Sequence, residues 1–377
     1  MKRPLPGGLD SGTFLRRHWQ KKPLLVRGAF PGFVDPVSVR GVLALAAERD
    51  ATARLVRHRA GRWSLEHGPF APSLFKQLPH RNWTVLVQDT NYFSQAAARL
   101  LERFDFIPHA RVDDLMVSYA APGGTVGPHV DSYDVFLLQG RGSRRWQISR
   151  SRDHEFRPGL PLKILQRFVP DEEWVLESGD LLYLPPGVPH YGVALTECLT
   201  WSVGFRAPAD RELMAAFLDF LHERLDPPGQ YADPRAKPAR HAGEIPSALA
   251  RHIVRTAGRI RWSEAAAREF AGRYLSETKP QAVFAVPRRP LARARFVAKA
   301  ERTGLALDAR SRLLFSGSIF FMNGECLRAP PSAIERLRAL ADRRRLPGPL
   351  RAGAAFWDIA YPWYTQGFLH LEARSES

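Results

Sequence analysis

A chain of 377 residues, 45% hydrophobic and 25% charged, holds material for two or three units with their own cores and is ordinary for a soluble globular protein. Two cysteines, Cys198 and Cys326, exclude a disulfide framework; no apolar run approaches a membrane span and residues 1–8 carry no apolar secretory segment, so a cytoplasmic protein is expected. The formal charge of +17 lies mainly over 235–312 (18 Lys and Arg against 6 Asp and Glu) and less over 1–205 (26 against 20), so it bears on solubility or on docking to an anionic partner such as a ribonucleoprotein, not on a reaction.

From the start of the chain, Phe14, Leu15, His18 and Trp19 share one face of a short helix over 12–20, ended by Pro23. A strand over 24–27 follows, then a helix over 37–48 that is apolar at Val39, Val42, Leu43 and Ala46. Short strands over 53–58, 62–67 and 83–89 are separated by Gly and Pro. A helix over 94–103 and a strand over 112–120 lead into Pro122-Gly-Gly. From there to residue 206, about five more short strands with turn residues between them predict a closed or double-sheet β barrel of the jelly-roll or cupin type.

Within that barrel, Gly127-Pro-His-Val-Asp-Ser-Tyr133 begins a strand over 126–138. Side chains alternate along a strand, so His129, Asp131 and Tyr133 share a face. His129 and Asp131 can grip one metal ion. The stretch from Trp174 to His190 reads as strand, tight Ser-Gly-Asp turn, strand, and Pro-Pro-Gly turn, a hairpin that puts His190 on the end of the β unit, where a barrel would bring it beside His129. A His-x-Asp alone is a weak signal; with a second histidine on a matched barrel element it becomes a strong one. Two histidines and one carboxylate leave coordination positions open, the arrangement of non-haem Fe(II) oxygenases.

After residue 208 the texture changes. Asp210 can cap a helix over 211–225, apolar at Leu213, Phe217, Phe220, Leu221 and Leu225. Pro227-Pro-Gly breaks it, 226–246 is a Pro-, Gly- and charge-rich connection, and helices over 247–256 and 263–275 follow. Three amphipathic helices outside a barrel suit a dimer face. Strands over 313–315 and 318–322 precede Asn323-Gly324, a strong hairpin signal, then a strand over 325–328 and a helix over 332–345. Helices with a small hairpin predict a winged-helix-like unit. Arg336, Arg338 and Arg343–Arg345 lie scattered round its last helix, which argues against sequence-specific DNA binding.

Several of these stretches together resemble the bacterial JmjC-type ribosomal oxygenases, in the branch of ribosomal protein arginine 3-hydroxylases. They are Phe14-Leu-Arg-Arg-His-Trp-Gln-Lys-Lys-Pro23, His67-Gly-Pro-Phe70, Asp113-Asp-Leu-Met116, the run from Pro122 to Phe136, Gly179-Asp-Leu-Leu-Tyr-Leu-Pro-Pro-Gly187 and Ser202-Val-Gly-Phe-Arg-Ala-Pro208. The likeness is dense over 14–208 and weaker beyond. It implies a double-stranded β-helix (jelly-roll, JmjC) catalytic domain over 1–207, a helical dimerisation domain over 208–279 and a winged-helix-like domain over 280–377.

The resemblance also implies a ligand set and a chemistry. His129, Asp131 and His190 match the metal ligands of an enzyme using Fe(II), 2-oxoglutarate and dioxygen. Arg144 stands where the far carboxylate of 2-oxoglutarate is held, and a guanidinium can take it through two parallel hydrogen bonds. Ser118 and Thr200 match positions near that cosubstrate, Thr200 standing where relatives often carry Asn. Asp114 and Tyr133 match substrate-binding positions. One carboxylate and one aromatic face suit a guanidinium, and Asp114 shares strand parity with Met116 and Ser118. The implied reaction is hydroxylation of an arginine β-carbon in a large-subunit ribosomal protein, and the resemblance points to protein sixteen. Two other readings stand beside it: a JmjC oxygenase of a histidine, a lysine or a tRNA base, and a cupin-type ribosome- or nucleic-acid-binding protein without turnover.

Overall fold

The structure, a computed structural model, describes residues 5–225, 228–238 and 240–372. The expected break at Pro227 and part of the 226–246 connection therefore lie outside the described residues, as do 373–377. Helix α1 (Ser11–Arg17) begins at Asp10, whose carboxylate accepts the Thr13 N–H at 2.7 Å, and ends with Arg16 and Arg17 near its carbonyl pole. Strand β1 (Leu24–Val26), helix α2 (Val39–Leu45), strands β2 (Ala53–Arg59) and β3 (Arg62–His67), helix α3 (Pro72–Gln77) and strand β4 (Trp83–Val87) follow. Ser38 caps α2, and Ser94 caps the helix that begins at Gln95, each accepting the N–H three residues on. Helices α4 (Thr90–Phe93) and α5 (Gln95–Leu101) lead into β5 (Val112–Ala120).

Strands β6 (Asp134–Gln139), β7 (Arg144–Ile148), β8 (Glu172–Leu176), β9 (Leu181–Leu184), β10 (His190–Ala194) and β11 (Cys198–Phe205) complete two antiparallel sheets. The larger runs β1-β9-β6-β11-β5-β4-β2-β3 and the smaller β10-β7-β8, the double-sheet jelly roll expected. Alternation decides what each face does. Leu55, Val85, Val117, Phe136, Trp201 and Val203 point into the core under α1, and the residues between them point into the barrel.

The middle of that core is Phe14, fully buried with its ring 4.9 Å from Tyr183 and 5.5 Å from Phe136. Phe14→Ala removes an aromatic plug that the rigid sheet cannot collapse to fill. It is expected to lower unfolding free energy by about 3–5 kcal/mol, measured by chemical denaturation.

Two expectations are corrected here. The strand expected from residue 126 starts only at Asp134. Gly127 has φ +83 and Pro128 has no N–H to donate, so the chain leaves the ladder and His129 pairs with His190 as a single bridge. The stretch from Trp174 to His190 is not a paired hairpin either. β8 pairs with β7 in the small sheet, whereas β9 pairs with β1 and β6 in the large one. The Ser-Gly-Asp turn is real: the Asp180 N–H donates to Glu177 O at 2.9 Å, and the Asp180 carboxylate is held by Arg27 and Gly28. It carries the chain between sheets. Turn chemistry reports a reversal, not which sheet the next strand joins.

Helix α6 (Asp210–His222) starts at Asp210, which lies in its first turn with Glu212 and does not cap it. Helices α7 (Ser247–Ala257) and α8 (Glu264–Ser276, capped by Ser263) follow. Then come α9 (Arg293–Thr303), β12 (Gly304–Leu307), β13 (Leu313–Ser316), β14 (Ile319–Met322), β15 (Glu325–Arg328), α10 (Pro331–Arg343), β16 (Arg345–Pro347), α11 (Ala354–Thr365) and β17 (Leu369–Leu371). Asn323 and Gly324 both have positive φ, and Met322 faces Glu325, as a two-residue hairpin turn requires. The unit is joined to the barrel by Arg312, whose guanidinium donates to Val112 O at 3.0 Å and Asp113 O at 2.8 Å.

Candidate metal centre and substrate cavity

His129 and His190 exchange both backbone hydrogen bonds, at 3.0 and 2.9 Å, which locks the two imidazoles side by side with ring centroids 4.2 Å apart. Nδ1 of His129 lies 2.9 Å from Gly127 O and Nδ1 of His190 lies 2.9 Å from Val188 O. In the tautomer that donates these bonds, both Nε2 lone pairs face inward. Asp131 completes the group. Its Oδ1 lies 3.9 Å from Nε2 of His129 and its Oδ2 lies 3.6 Å from Nε2 of His190. The Asp131 carbonyl accepts the Gly187 N–H, so the turn before β10 and the loop before β6 hold each other. Burial, then the neighbouring His129, pushes the His190 pKa down to about 4, so its imidazole is neutral at pH 7.

A metal fits these donors. All three ligand atoms lie within 4.8 Å of one another, two imidazole nitrogens and one carboxylate oxygen. They line a cavity of about 460 Å³ between the sheets, and every other expected site residue lines the same cavity: Asp114, Ser118, Tyr133, Arg144 and Thr200.

Arg144 gives the second test of fit. It is buried, with its guanidinium carbon 5.7 Å from the centre of the Trp146 ring, and its Nε and Nη2 have no hydrogen-bond partner among the described residues. A desolvated cation with free donors is costly unless an anion arrives, and a dicarboxylate supplies one. Arg145 does not line the cavity, as β7 parity requires. Thr200 is already engaged: its hydroxyl donates to Gln139 Oε1 at 3.3 Å, while the Gln139 amide donates to Leu199 O at 3.0 Å.

Asp114 and Tyr133 line the same cavity. Burial pushes the Asp114 carboxyl up to about 7, opposed by Lys279 and reinforced by Asp113 and Asp89. Burial, followed by the charges of Asp131 and Asp114, raises the Tyr133 phenol far above its ordinary value, so it stays neutral. Sequence reasoning missed Arg54, Gln88 and Lys163, which also line the cavity. Arg54 and Gln88 were within reach of strand parity, and Lys163 sits on an irregular loop that gives no such signal.

A JmjC domain profile matches residues 99–213 and a ROXA-like winged-helix profile matches residues 259–370. The chain is 42% identical over 240 residues to the ribosomal protein uL16 3-hydroxylase of Escherichia coli, covering 63% of each chain. It is 42% identical over 210 residues to a probable ribosomal oxygenase of Haemophilus influenzae, covering 54% of this chain and 51% of the relative. These alignments thus span between about half and two thirds of the curated relatives' lengths. A crystal structure of the Escherichia coli ribosomal oxygenase YcfD superposes with a TM-score of 0.85 at 32% identity, covering 97% of this chain and 98% of that one. The same enzyme with cobalt and 2-oxoglutarate superposes at 0.83, covering 97% and 99%. With an inward-facing His-Asp-His group in a jelly roll, and a full-length match that runs on through a winged helix, the chain belongs to the bacterial JmjC-type ribosomal oxygenases.

Proposed function

We propose that this protein is an Fe(II)- and 2-oxoglutarate-dependent oxygenase that hydroxylates the β-carbon of an arginine in a large-subunit ribosomal protein of the uL16 type. One observation carries the reading. A single cavity joins the three-donor group, the Arg144 guanidinium, whose Nε and Nη2 lack hydrogen-bond partners among the described residues, and buried Asp114 with half-buried Tyr133. The names of the relatives support the substrate class. The cobalt and 2-oxoglutarate complex of Escherichia coli YcfD supports the cosubstrate, cobalt standing in for ferrous iron.

His129, Asp131 and His190 would hold the iron. Ferrous iron with 2-oxoglutarate and dioxygen supplies the oxidising power to place a hydroxyl on an unactivated carbon, 2-oxoglutarate being decarboxylated to succinate. The chain's own residues position and exclude. Arg144 takes the far carboxylate of the cosubstrate, and Ser118 offers it a hydroxyl. Thr200 is the weaker candidate, its proton being committed to Gln139. Asp114 accepts the substrate guanidinium and Tyr133 presents an aromatic face to it, so the β-carbon is held still while Val135, Leu137 and Trp146 keep water out. Guanidinium binding needs Asp114 ionised, so affinity should rise as pH passes through about 7.

The helical segment 208–279 is read as the dimerisation unit, supported by the exposed apolar residues Met214, Leu218, Ile253, Val254 and Trp262. The cytoplasm suits a modifier of ribosomal proteins, and no helix among the described residues is long and apolar enough to cross a membrane. Sequence-specific DNA binding has no part in the reading: Arg336 and Arg338 on α10 donate to the carbonyls of Arg351 and Gly317.

The test is mass spectrometry of ribosomal proteins from a deletion strain, and of those proteins after incubation with enzyme, Fe(II) and 2-oxoglutarate in air. The expected result is a gain of one oxygen, roughly 16 Da, on one arginine-containing peptide of the large subunit. The same gain on a histidine or lysine would reassign the target, and no succinate formed from 2-oxoglutarate with any ribosomal protein present would leave only a binding protein.

A further inference from the structure

Lys279 lies beyond the barrel, three residues after α8, yet it reaches back to the cavity wall. Its ammonium is 2.8 Å from Asp89 Oδ1, 3.3 Å from Asp113 Oδ1 and 3.9 Å from Asp114 Oδ2. The segment that carries it is tied down on both sides. The Gln281 amide donates to the other Asp89 oxygen at 3.0 Å, and the Gly324 N–H in the wing hairpin donates to Ser276 Oγ at 3.1 Å. Asp89 and Asp114 are almost fully buried, and the backbone N–H of Asp89 donates to the Asp114 carboxylate. A side groove lined by Lys279, Glu212, Tyr274 and Glu277 meets the main cavity at Asp113 and Tyr133, so Lys279 stands beside its mouth.

Three carboxylates so close cannot all stay ionised without a counter-charge. Asp113 has a second one in Arg206, 3.3 Å away. Among the described residues, Asp89 and Asp114 have no ion pair other than with Lys279. The remaining groups facing Asp114 add nothing positive at contact distance: Tyr133 is a neutral phenol and Gly204 presents backbone. Arg312, under β5, spends its donors on the carbonyls of Val112 and Asp113, and Arg54 lines the cavity wall without an ion pair to Asp114.

Building on the arginine-hydroxylase reading, we propose that Lys279 is a positioning residue of the substrate pocket. Reaching in from the segment between α8 and the winged helix, it favours the anionic form of Asp114 and aims it so that a substrate guanidinium can pair with it. Its closest bond is to Asp89, not Asp114, so it offsets charge without occupying the seat the substrate needs. The C-terminal half of the chain would then complete the substrate pocket as well as surround it. Burial works against the Lys279 ammonium, but Asp114, Asp113 and Asp89 together hold its pKa above the ordinary lysine value, so it is charged throughout the working range.

Lys279→Met in the full-length enzyme tests this with a uL16-type arginine substrate. If the Asp114 midpoint rises by one to two units, its ionised fraction at pH 7 falls from about one half to roughly a tenth or a hundredth. KM for the arginine substrate should then rise roughly five- to fiftyfold at pH 7, and to only about twofold or less at pH 9, with kcat nearly unchanged. Lys279→Arg should restore the wild-type profile. Carboxyl-carbon NMR of Asp114 should show the raised midpoint directly, whatever the activity. If Lys279→Met folds poorly, Asp89→Asn combined with Lys279→Met removes one charge of each sign and should recover near wild-type affinity. A KM that is unchanged, lowered, or raised equally at both pH values would overturn the inference, as would an unmoved Asp114 midpoint. Failure of the wild-type enzyme to hydroxylate any arginine would instead sink the functional reading beneath it.

Discussion

Asp131→Ala is expected to lower 2-oxoglutarate turnover by about three orders of magnitude or more, since the metal contributes several kcal/mol and each 1.4 kcal/mol is tenfold in rate. The reason is charge as well as geometry. An imidazole coordinates a metal as a neutral donor, and Asp131 supplies the one carboxylate among the three. Two imidazoles alone neither offset the charge of a dication nor fix it at one point of the cavity wall. The substitution should leave the fold intact, because Asp131 holds the turn before β10 through its backbone carbonyl and not through its side chain. Metal titration by calorimetry, with far-ultraviolet circular dichroism of the same sample, checks both parts. A variant that still binds one ferrous ion tightly and turns over would show that the ion sits elsewhere.

How much of this could be read from the chain varies with the range of the physics involved. His129 and Asp131 are two residues apart, and His190 follows a Pro-Pro-Gly turn, so local chemistry exposed them even though the expected strand around 126–133 is an irregular loop. Arg144 followed from the family spacing, and its lack of partners could be seen only once β7 was folded against β10. Helix α11 was missed because Pro362 lies within it and a local reading breaks there. Phe356, Trp357, Ala360 and Trp363 are buried in the C-terminal core, and that packing outweighs the lost backbone bond. The β16-β12-β17 sheet was missed as well, since three-residue edge strands leave no alternation to read. Lys279 carries no signal at all in sequence. Its role depends on two distant segments meeting, Asp89 after β4 and the residues following α8.

The Arg144 guanidinium sets function against stability, and Arg144→Met should separate the two. Its Nε and Nη2 are desolvated without partners among the described residues, and its guanidinium lies over the Trp146 ring. An unsatisfied buried donor costs about 1–3 kcal/mol, and more when charged. Methionine keeps much of the stem and fills the space beside Trp146 with an apolar group, so the ligand-free variant should be as stable as wild type, or more stable by about 1–3 kcal/mol. Cosubstrate binding moves the other way. Charge-assisted hydrogen bonds contribute about 1.5–3 kcal/mol each, so loss of a two-pronged grip should raise KM for 2-oxoglutarate on the order of a hundredfold or more. Arg144→Lys should fall between, keeping the charge and losing the fork. Denaturation of the ligand-free protein together with 2-oxoglutarate kinetics reads both quantities on one preparation. Lowered stability with an unchanged KM would make Arg144 a structural cation. Raised stability with a raised KM identifies a residue that the fold tolerates at a cost for the sake of the anion it receives.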